Sequence, residues 1–441
     1  MRNKNDMSKN ILHGYAFRIC FCIIAFIFSS FIFLNAFAEN KKKEGLPETQ
    51  HVFSRYFDRV VKVQVLEKVS GTKAVIGSGF FVNVNGDVIT NFHVIANLIH
   101  HPDRYRAEVI NNKGISFPVS ITSIDVINDL AVVRTGVRSD AFFDISKVSL
   151  KQGLRLYSLG FPLDIGISIV EGTYNGFLEH ALYKKIHFTG SLNPGMSGGP
   201  AITSDGRVVG INVATAGEQV SFLVPVEKAV KLIEDAQYVK EKDFIKAIRS
   251  QLLEHQNNYF PDTLIRSGEK VQLGRYRLSS KPAQFFNCWG DSKQEEKDPY
   301  RIIEHQCSTE DNIYISSGQR SGVIRFHHRL ITSDKMNSFQ FSKLYSSFFN
   351  QSIAQDWKSK DEVTKFFCKT GNVKKEDMTF RTVFCLRGYK KLEGLYDAVF
   401  KAAVIGIRNE GIETNLYLSG VTFEKAVMLS RDYMEAITWA Q

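Results

Sequence analysis

The stretch "NPGMSGGPAITSDGRVVGINVATA", residues 193–216, carries the reading of the fold. Glycines stand on both sides of Ser197, at Gly195, Gly198 and Gly199, and let the backbone reach positive φ or approach another chain closely. Pro200 follows, then two short apolar runs joined at Asp205-Gly206, a tight hairpin signal. Ser197 is therefore read on a loop that opens into a strand hairpin rather than a helix. Outward from it, residues from Val61 to about Val226 keep the same texture. "VKVQVLE" alternates with period two, and "VIGSGFFVNVNGDVITNFHVI" is two strand-like runs joined at Asn85-Gly86. "LAVVRT", "LRLYSLGFP", "ISIVEGTYNGF" and "KIHFTG" continue it. Many short strands with Gly- or Asn-marked turns predict antiparallel barrels or a sandwich, not βαβ units.

Gly195-Met196-Ser197-Gly198-Gly199 also satisfies G-x-S-x-G, the nucleophile elbow of α/β-hydrolases. That elbow turns directly into a helix, and its acid and histidine follow the serine. Here a hairpin follows, and the candidate partners precede. A serine needs an adjacent imidazole to become a nucleophile. His93, in "VITNFHVI" at the end of an apolar run, is the candidate base. The imidazole in turn needs a carboxylate to hold its tautomer and stabilise its cation. "SIDVINDLAVVRT" offers Asp125 and Asp129; Asp129 directly precedes an apolar strand, while Asp125 reads as a surface residue. The order His93, Asp129, Ser197 is that of chymotrypsin-type enzymes. The amides of Gly195 and Ser197 are the candidate oxyanion hole.

These pieces resemble the HtrA/Deg-type, trypsin-like serine peptidases. The resemblance is carried by "GSGFFV" (Gly77 to Val82), "ITNFHVI" (Ile89 to Ile95), "NDLAVV" (Asn128 to Val133), "LGFP" (Leu159 to Pro162), "NPGMSGGP" and "FLVPVEKA" (Phe222 to Ala229). It implies a mainly β fold with two perpendicular six-stranded barrels over residues 56–235 and a Ser-His-Asp site in the cleft between them. It also implies hydrolysis of protein or peptide substrates through an acyl-enzyme, without metal or organic cofactor. The primary pocket is expected from Ser191, Leu192, Ile211, Asn212, Val213 and Ala214. With Ser191 where an acid would select Arg or Lys, a neutral pocket favours small or medium apolar side chains. Two departures stand out. Met196 occupies a position where the family usually carries asparagine. No PDZ signature follows the peptidase segment, so neither peptide-activated regulation nor a trimer is carried over. The alternative is a catalytically silent peptidase-fold scaffold bearing a C-terminal binding module.

The rest of the chain frames these residues. Of the net charge of +10, residues 1–38 hold four basic residues against Asp6, leaving +7 for the remainder, spread as a solvated surface. No nucleic-acid-binding motif accompanies it. Basic residues lead into the apolar run Ile19–Asn35, which exits at Ala36-Phe37-Ala38; this reads as a signal peptide over 1–38 and an exported, periplasmic or extracellular protein. If the segment is not cleaved, it is a membrane anchor. Residues 39–55 are expected as a linker, 236–257 as a helical linker, and 258–441 as an α+β domain of unknown role. Cys288, Cys307, Cys368 and Cys385 lie in this last part. Export permits disulfides, and the sequential pairing, each pair bracketing a short strand-like segment, is favoured among three connectivities. No tight C-x-x-C spacing suggests a metal.

Overall fold

A computed structural model describes residues 47–215, 217, 219–236, 243–259, 264–266, 268–293, 297–309, 311–351 and 358–439. The signal-like segment 1–38 and positions 39–46 of the expected linker lie outside the described residues. The end of the expected linker enters a helix, α1 (Glu48–Tyr56).

Seven antiparallel strands follow: β1 (Val60–Glu67), β2 (Lys73–Phe81), β3 (Asp87–Thr90), β4 (Tyr105–Ile110), β5 (Ser116–Pro118), β6 (Ser120–Asp125) and β7 (Leu130–Arg134), with helix α2 (Phe92–His100) between β3 and β4. Their order is β5-β4-β1-β2-β3-β7-β6. The expected six-stranded first barrel is thus a seven-stranded sheet. Its edge strands β5 and β6 are separated only by Val119, so the two edges meet at one chain corner and the sheet is rolled upon itself. The next six strands are β8 (Arg155–Gly160), β9 (Ser168–Phe177), β10 (Ile186–Phe188), β11 (Pro200–Ile202), β12 (Val208–Thr215) and β13 (Ser221–Pro225), and they close into a six-stranded barrel.

Strand β7 shows why its sequence is a continuous apolar run. Successive strand side chains point to opposite faces. Leu130 and Val132 enter a core shared with Tyr157 and Leu159 of the second barrel. Ala131 and Val133 enter another, built with Phe92 and Val94 of α2. Both faces are buried, so no polar alternation survives.

Helices α3 (Val226–Ala236) and α4 (Phe244–Tyr259) come next. The latter is more than a linker: Ile248 and Leu252 are buried in the first-barrel core. From Val52 to Gln441 the chain is one compact unit. The C-terminal portion adds β14 (Lys270–Leu273), β15 (Tyr276–Ser279), β16 (Phe286–Lys293), β17 (Arg301–Thr309), β18 (Ile313–Ser316), β19 (Gln319–Ser321) and β20 (Ile324–Thr332). Helix α5 (Ser338–Phe349) leads to β21 (Phe367–Lys375), β22 (Met378–Gly388), β23 (Tyr396–Ile405) and β24 (Glu410–Val421), before α6 (Phe423–Glu435) and β25 (Thr438–Trp439). Seven of these strands form one antiparallel sheet, β16-β17-β20-β24-β23-β22-β21. Along β20, Phe326 and Leu330 pack with Leu429 and Tyr433 of α6, whereas Ile331 packs with Phe341 of α5. Each face thus carries one helix, an α+β arrangement, and the adjacent His327 and His328 point to opposite faces.

Two disulfides join Cys288 to Cys307 and Cys368 to Cys385. Each bond links directly opposed residues, on β16 and β17 and on β21 and β22. Since β16 and β21 are the two edges of the sheet, each cystine ties an edge strand to its only neighbour. Replacing Cys368 and Cys385 by alanine should cost about 3 kcal/mol of stability. It should also raise amide exchange along Phe367–Lys375 while the β20–β24 pair keeps its protection; hydrogen-exchange mass spectrometry reads both.

Candidate active site

The three residues singled out around Ser197 come from separate elements that meet between the barrels. His93 is not on a strand, as its apolar neighbours suggest, but in the first turn of α2, directly after β3. Asp129 lies in the β6–β7 turn with φ 57°, a conformation an aspartate tolerates better than most residues. Its carboxylate binds His93 twice. Oδ1 accepts the backbone amide at 2.9 Å, and Oδ2 pairs with ring Nδ1 at 2.6 Å. Its carbonyl accepts from Asn91 Nδ2 at 2.8 Å and from the Phe92 amide. The turn and the start of α2 are therefore locked together. Asp125, by contrast, accepts from the Asn128 amide and side chain and shapes the turn.

Burial lowers the pKa of His93, but the charge and hydrogen bond of Asp129 raise it, with Arg320 opposing them; the net shift is upward. With Nδ1–H donated to Asp129, Nε2 is left as the basic nitrogen.

The serine loop is built by engaging its carbonyls. Pro194 O accepts from the Leu163 amide at 2.8 Å, and Met196 O accepts from the Gly199 amide at 3.0 Å and Asn212 Nδ2 at 3.1 Å. In a trans peptide the N–H points opposite to the C=O, so the amides of Gly195 and Ser197 are turned away from those partners. Neither amide donates to another described residue. Two adjacent N–H groups without partners form an anion-binding concavity. Gly195 has φ 97° and Gly198 φ 87°. A Cβ at Gly195 would lie 2.3 Å from Phe161 O, and one at Gly198 would lie 2.2 Å from Ser78 O. Gly198 also packs on Thr90 and Asn91, just before His93, so the serine and histidine segments are in contact. The Ser197 hydroxyl makes no hydrogen bond to a described residue. Contacts of this kind often tighten only when substrate binds.

Met196 is fully buried among Leu156, Phe188, Leu192 and Val209 of the second barrel. It anchors the loop by apolar packing against these residues. Leu192 shares this core, so its side chain is a support rather than an open wall. Ile211 belongs to the core between the barrels. Asn212 is buried, bonding Leu159 O and Met196 O from behind the loop. Of the expected pocket residues, Ser191 is exposed and Val213 lines a cavity with His93 and Asp129. Ala214 is seen through its backbone pairing with Phe222.

Four further residues were missed in the sequence. Ser78, fully buried on β2, donates its amide to Ser197 O at 2.7 Å and its hydroxyl to Gly195 O at 2.7 Å, and accepts from the Phe161 amide at 2.9 Å. Gln251 of α4 accepts from the Val126 amide at 2.7 Å and donates to Ile124 O at 2.8 Å, bracing the strand that leads to Asp129. Tyr314 and Arg320 come from the C-terminal β18–β19 hairpin and line the cavity at His93. Ser78 sits within the quoted "GSGFFV", but nothing there marks its hydroxyl as a link between barrels. The other three lie in motif-free sequence.

Residues 77–211 match the trypsin-like peptidase domain family. Over that segment the chain is similar to trypsin-like peptidase domains. Among curated relatives, the serine protease HTRA2, mitochondrial, of Drosophila erecta and that of Drosophila ananassae are each 29% identical over 175 residues. Each match covers 38% of this chain and 40% of the relative, so the chain spans well under half the length of these relatives. A solved structure, the serine endoprotease from Yersinia pestis, aligns with TM-score 0.39 at 22% identity over 44% of this chain and 68% of that one. The matched segment of the peptidase domain holds His93, Asp129 and Ser197, whereas Tyr314 and Arg320 lie outside it.

Two outcomes test this geometry. His93 should titrate above the ordinary histidine value of about 6.5, and Asp129→Asn should move its midpoint down, as read from imidazole NMR shifts. Met196→Asn should lower stability by about 2–4 kcal/mol, because it buries a polar amide in place of an apolar side chain. Met196→Leu should cost less than about 1.5 kcal/mol; denaturant titration compares the two.

Proposed function

We propose that the protein is an exported serine endopeptidase. Ser197 Oγ attacks the carbonyl carbon of a peptide bond while His93 Nε2 takes its proton, and the amides of Gly195 and Ser197 receive the oxyanion. The tetrahedral intermediate collapses as His93 gives that proton to the leaving amine, leaving an acyl-enzyme on Ser197. Water, deprotonated by His93, then attacks the acyl carbon; the ester bond to Ser197 Oγ breaks as His93 returns the proton to that oxygen, and the acid product leaves. Asp129 stays ionised and stabilises the imidazolium. The observation that carries this reading is the paired bond of Asp129 to His93 beside two amides on the serine loop that have no partner among the described residues. Export is supported by the leader-like N-terminus and by two cystines, which persist in oxidising compartments. A neutral residue at Ser191 supports a primary preference for small or medium apolar side chains.

A fluorophosphonate probe should label the wild-type chain, and Ser197→Ala should abolish labelling with an unchanged melting profile. Peptide hydrolysis should decline as the pH falls through the raised pKa of His93, because only the neutral imidazole accepts the proton. Absence of labelling in the wild type, or a flat profile from about pH 5 to 9, would favour a silent scaffold.

A further inference from the structure

A cavity of about 360 Å³ beside His93 is bounded by three parts of the chain. Asp129 lines it from the first barrel, Val213 and Lys184 from the second, and Tyr314 and Arg320 from the β18–β19 hairpin. Tyr314 and Arg320 are directly opposed across that hairpin. The Arg320 guanidinium therefore lies over the Tyr314 ring, 4.2 Å from its centre. The same ring meets the His93 ring edge-on at 5.8 Å.

The hairpin is fastened on every side. Asp311, just before it, accepts from Lys185 Nζ at 2.7 Å and the Leu182 amide at 3.1 Å, which ties it to the second barrel. Ile315 O accepts from His100 Nε2 of α2 at 2.9 Å, which ties it to the first. The backbone carbonyl of Arg320 accepts from Tyr389 Oη and Ser419 Oγ, each at 3.3 Å. Those hydroxyls belong to a buried network with Lys358 and Asp397. Arg320 is thus presented from a rigid support, which lowers the entropic cost of using it.

Charge decides what the cavity takes. Its two carboxylates are engaged, Asp129 by His93 and Asp311 by Lys185. Arg320 makes no ion pair with a described residue; its Nη1 donates to Ser316 O of its own hairpin at 3.1 Å. Lys184 is exposed, with its ammonium over the Phe177 ring. A guanidinium fixed on an aromatic face, with donors to spare, suits a carboxylate.

We propose that Arg320, backed by Tyr314, forms a subsite for an acidic side chain of the peptide substrate, so that the C-terminal portion sets the specificity of the cleft. This rests on the peptidase reading above. The test uses the full chain and C-terminally amidated peptides that differ only by Glu, Gln or Lys at one of the residues N-terminal to the scissile bond. At one of these positions the wild type should favour Glu over Lys by on the order of tenfold in kcat/KM, the size of one partly desolvated ion pair. Arg320→Gln should level the ratio and Arg320→Glu should invert it. Lys369→Glu, the same charge change on an exposed edge strand, should keep the wild-type ratio. An identical ratio in wild type and Arg320→Glu overturns the subsite. So does a uniform rise for all peptides in Arg320→Glu and Tyr314→Ala, which would mark the hairpin as an obstruction. Fluorophosphonate labelling separates the two levels: labelling without Glu/Lys discrimination rejects the subsite alone, while neither labelling nor hydrolysis rejects the peptidase reading and the subsite with it.

Discussion

Ser78 links the two barrels by hydrogen bonds at the place where the segments of Ser197 and His93 meet. Its amide, hydroxyl and carbonyl are all engaged: with Ser197 O, with Gly195 O and the Phe161 amide, and with the Thr90 hydroxyl. The residue is fully buried, so each of these bonds replaces water and none can be left unmade cheaply. Because the partners include backbone atoms of the serine loop and a side chain two residues before α2, one serine ties the loop that carries Ser197 to the helix that carries His93. The close approach of Gly198 to Ser78 O is the same constraint seen from the other side.

Around that stitch, the site is held by elements from the whole of the described chain. Asn212 and Met196 hold the loop from within the second barrel, one by hydrogen bonds and the other by apolar packing. Asp129 is oriented by a turn that Asp125 shapes, on a strand end that Gln251 of α4 braces. The C-terminal portion contributes Tyr314 against His93, and its core is continuous with the first barrel through Ile313, Ile315 and Leu392. The electrostatics follow from this enclosure. Burial alone would disfavour the imidazolium, and the Asp129 carboxylate overcomes it, while Arg320 works against protonation from the hairpin side.

The mainly β character and the hairpin after Pro200 were legible because each depends on local rules: period-two alternation, Gly-marked turns and the absence of helical spacing; the division into two barrels was implied only by the family resemblance. His93, Asp129 and Ser197 were legible as candidates because their short segments and their order are distinctive. The helical setting of His93 was not, since "FHVIANLIH" is apolar enough to pass for the end of a strand. Leu192 and Asn212, expected at a pocket wall, also support the loop from inside, and Ile211 lies in the core between the barrels, because strand alternation alone does not say which face meets solvent and which meets a second core.

The sequence by itself determined the strands, the turns and the serine loop, all set by interactions among residues close along the chain. Only the tertiary structure decided that Ser78 couples the barrels, that Met196 serves as an apolar anchor, and that a hairpin more than 200 residues beyond His93 walls the cavity beside it. These depend on which buried groups find partners across long separations. A hydroxyl, a thioether or a guanidinium carries no local mark of the neighbour it will meet once the chain has closed.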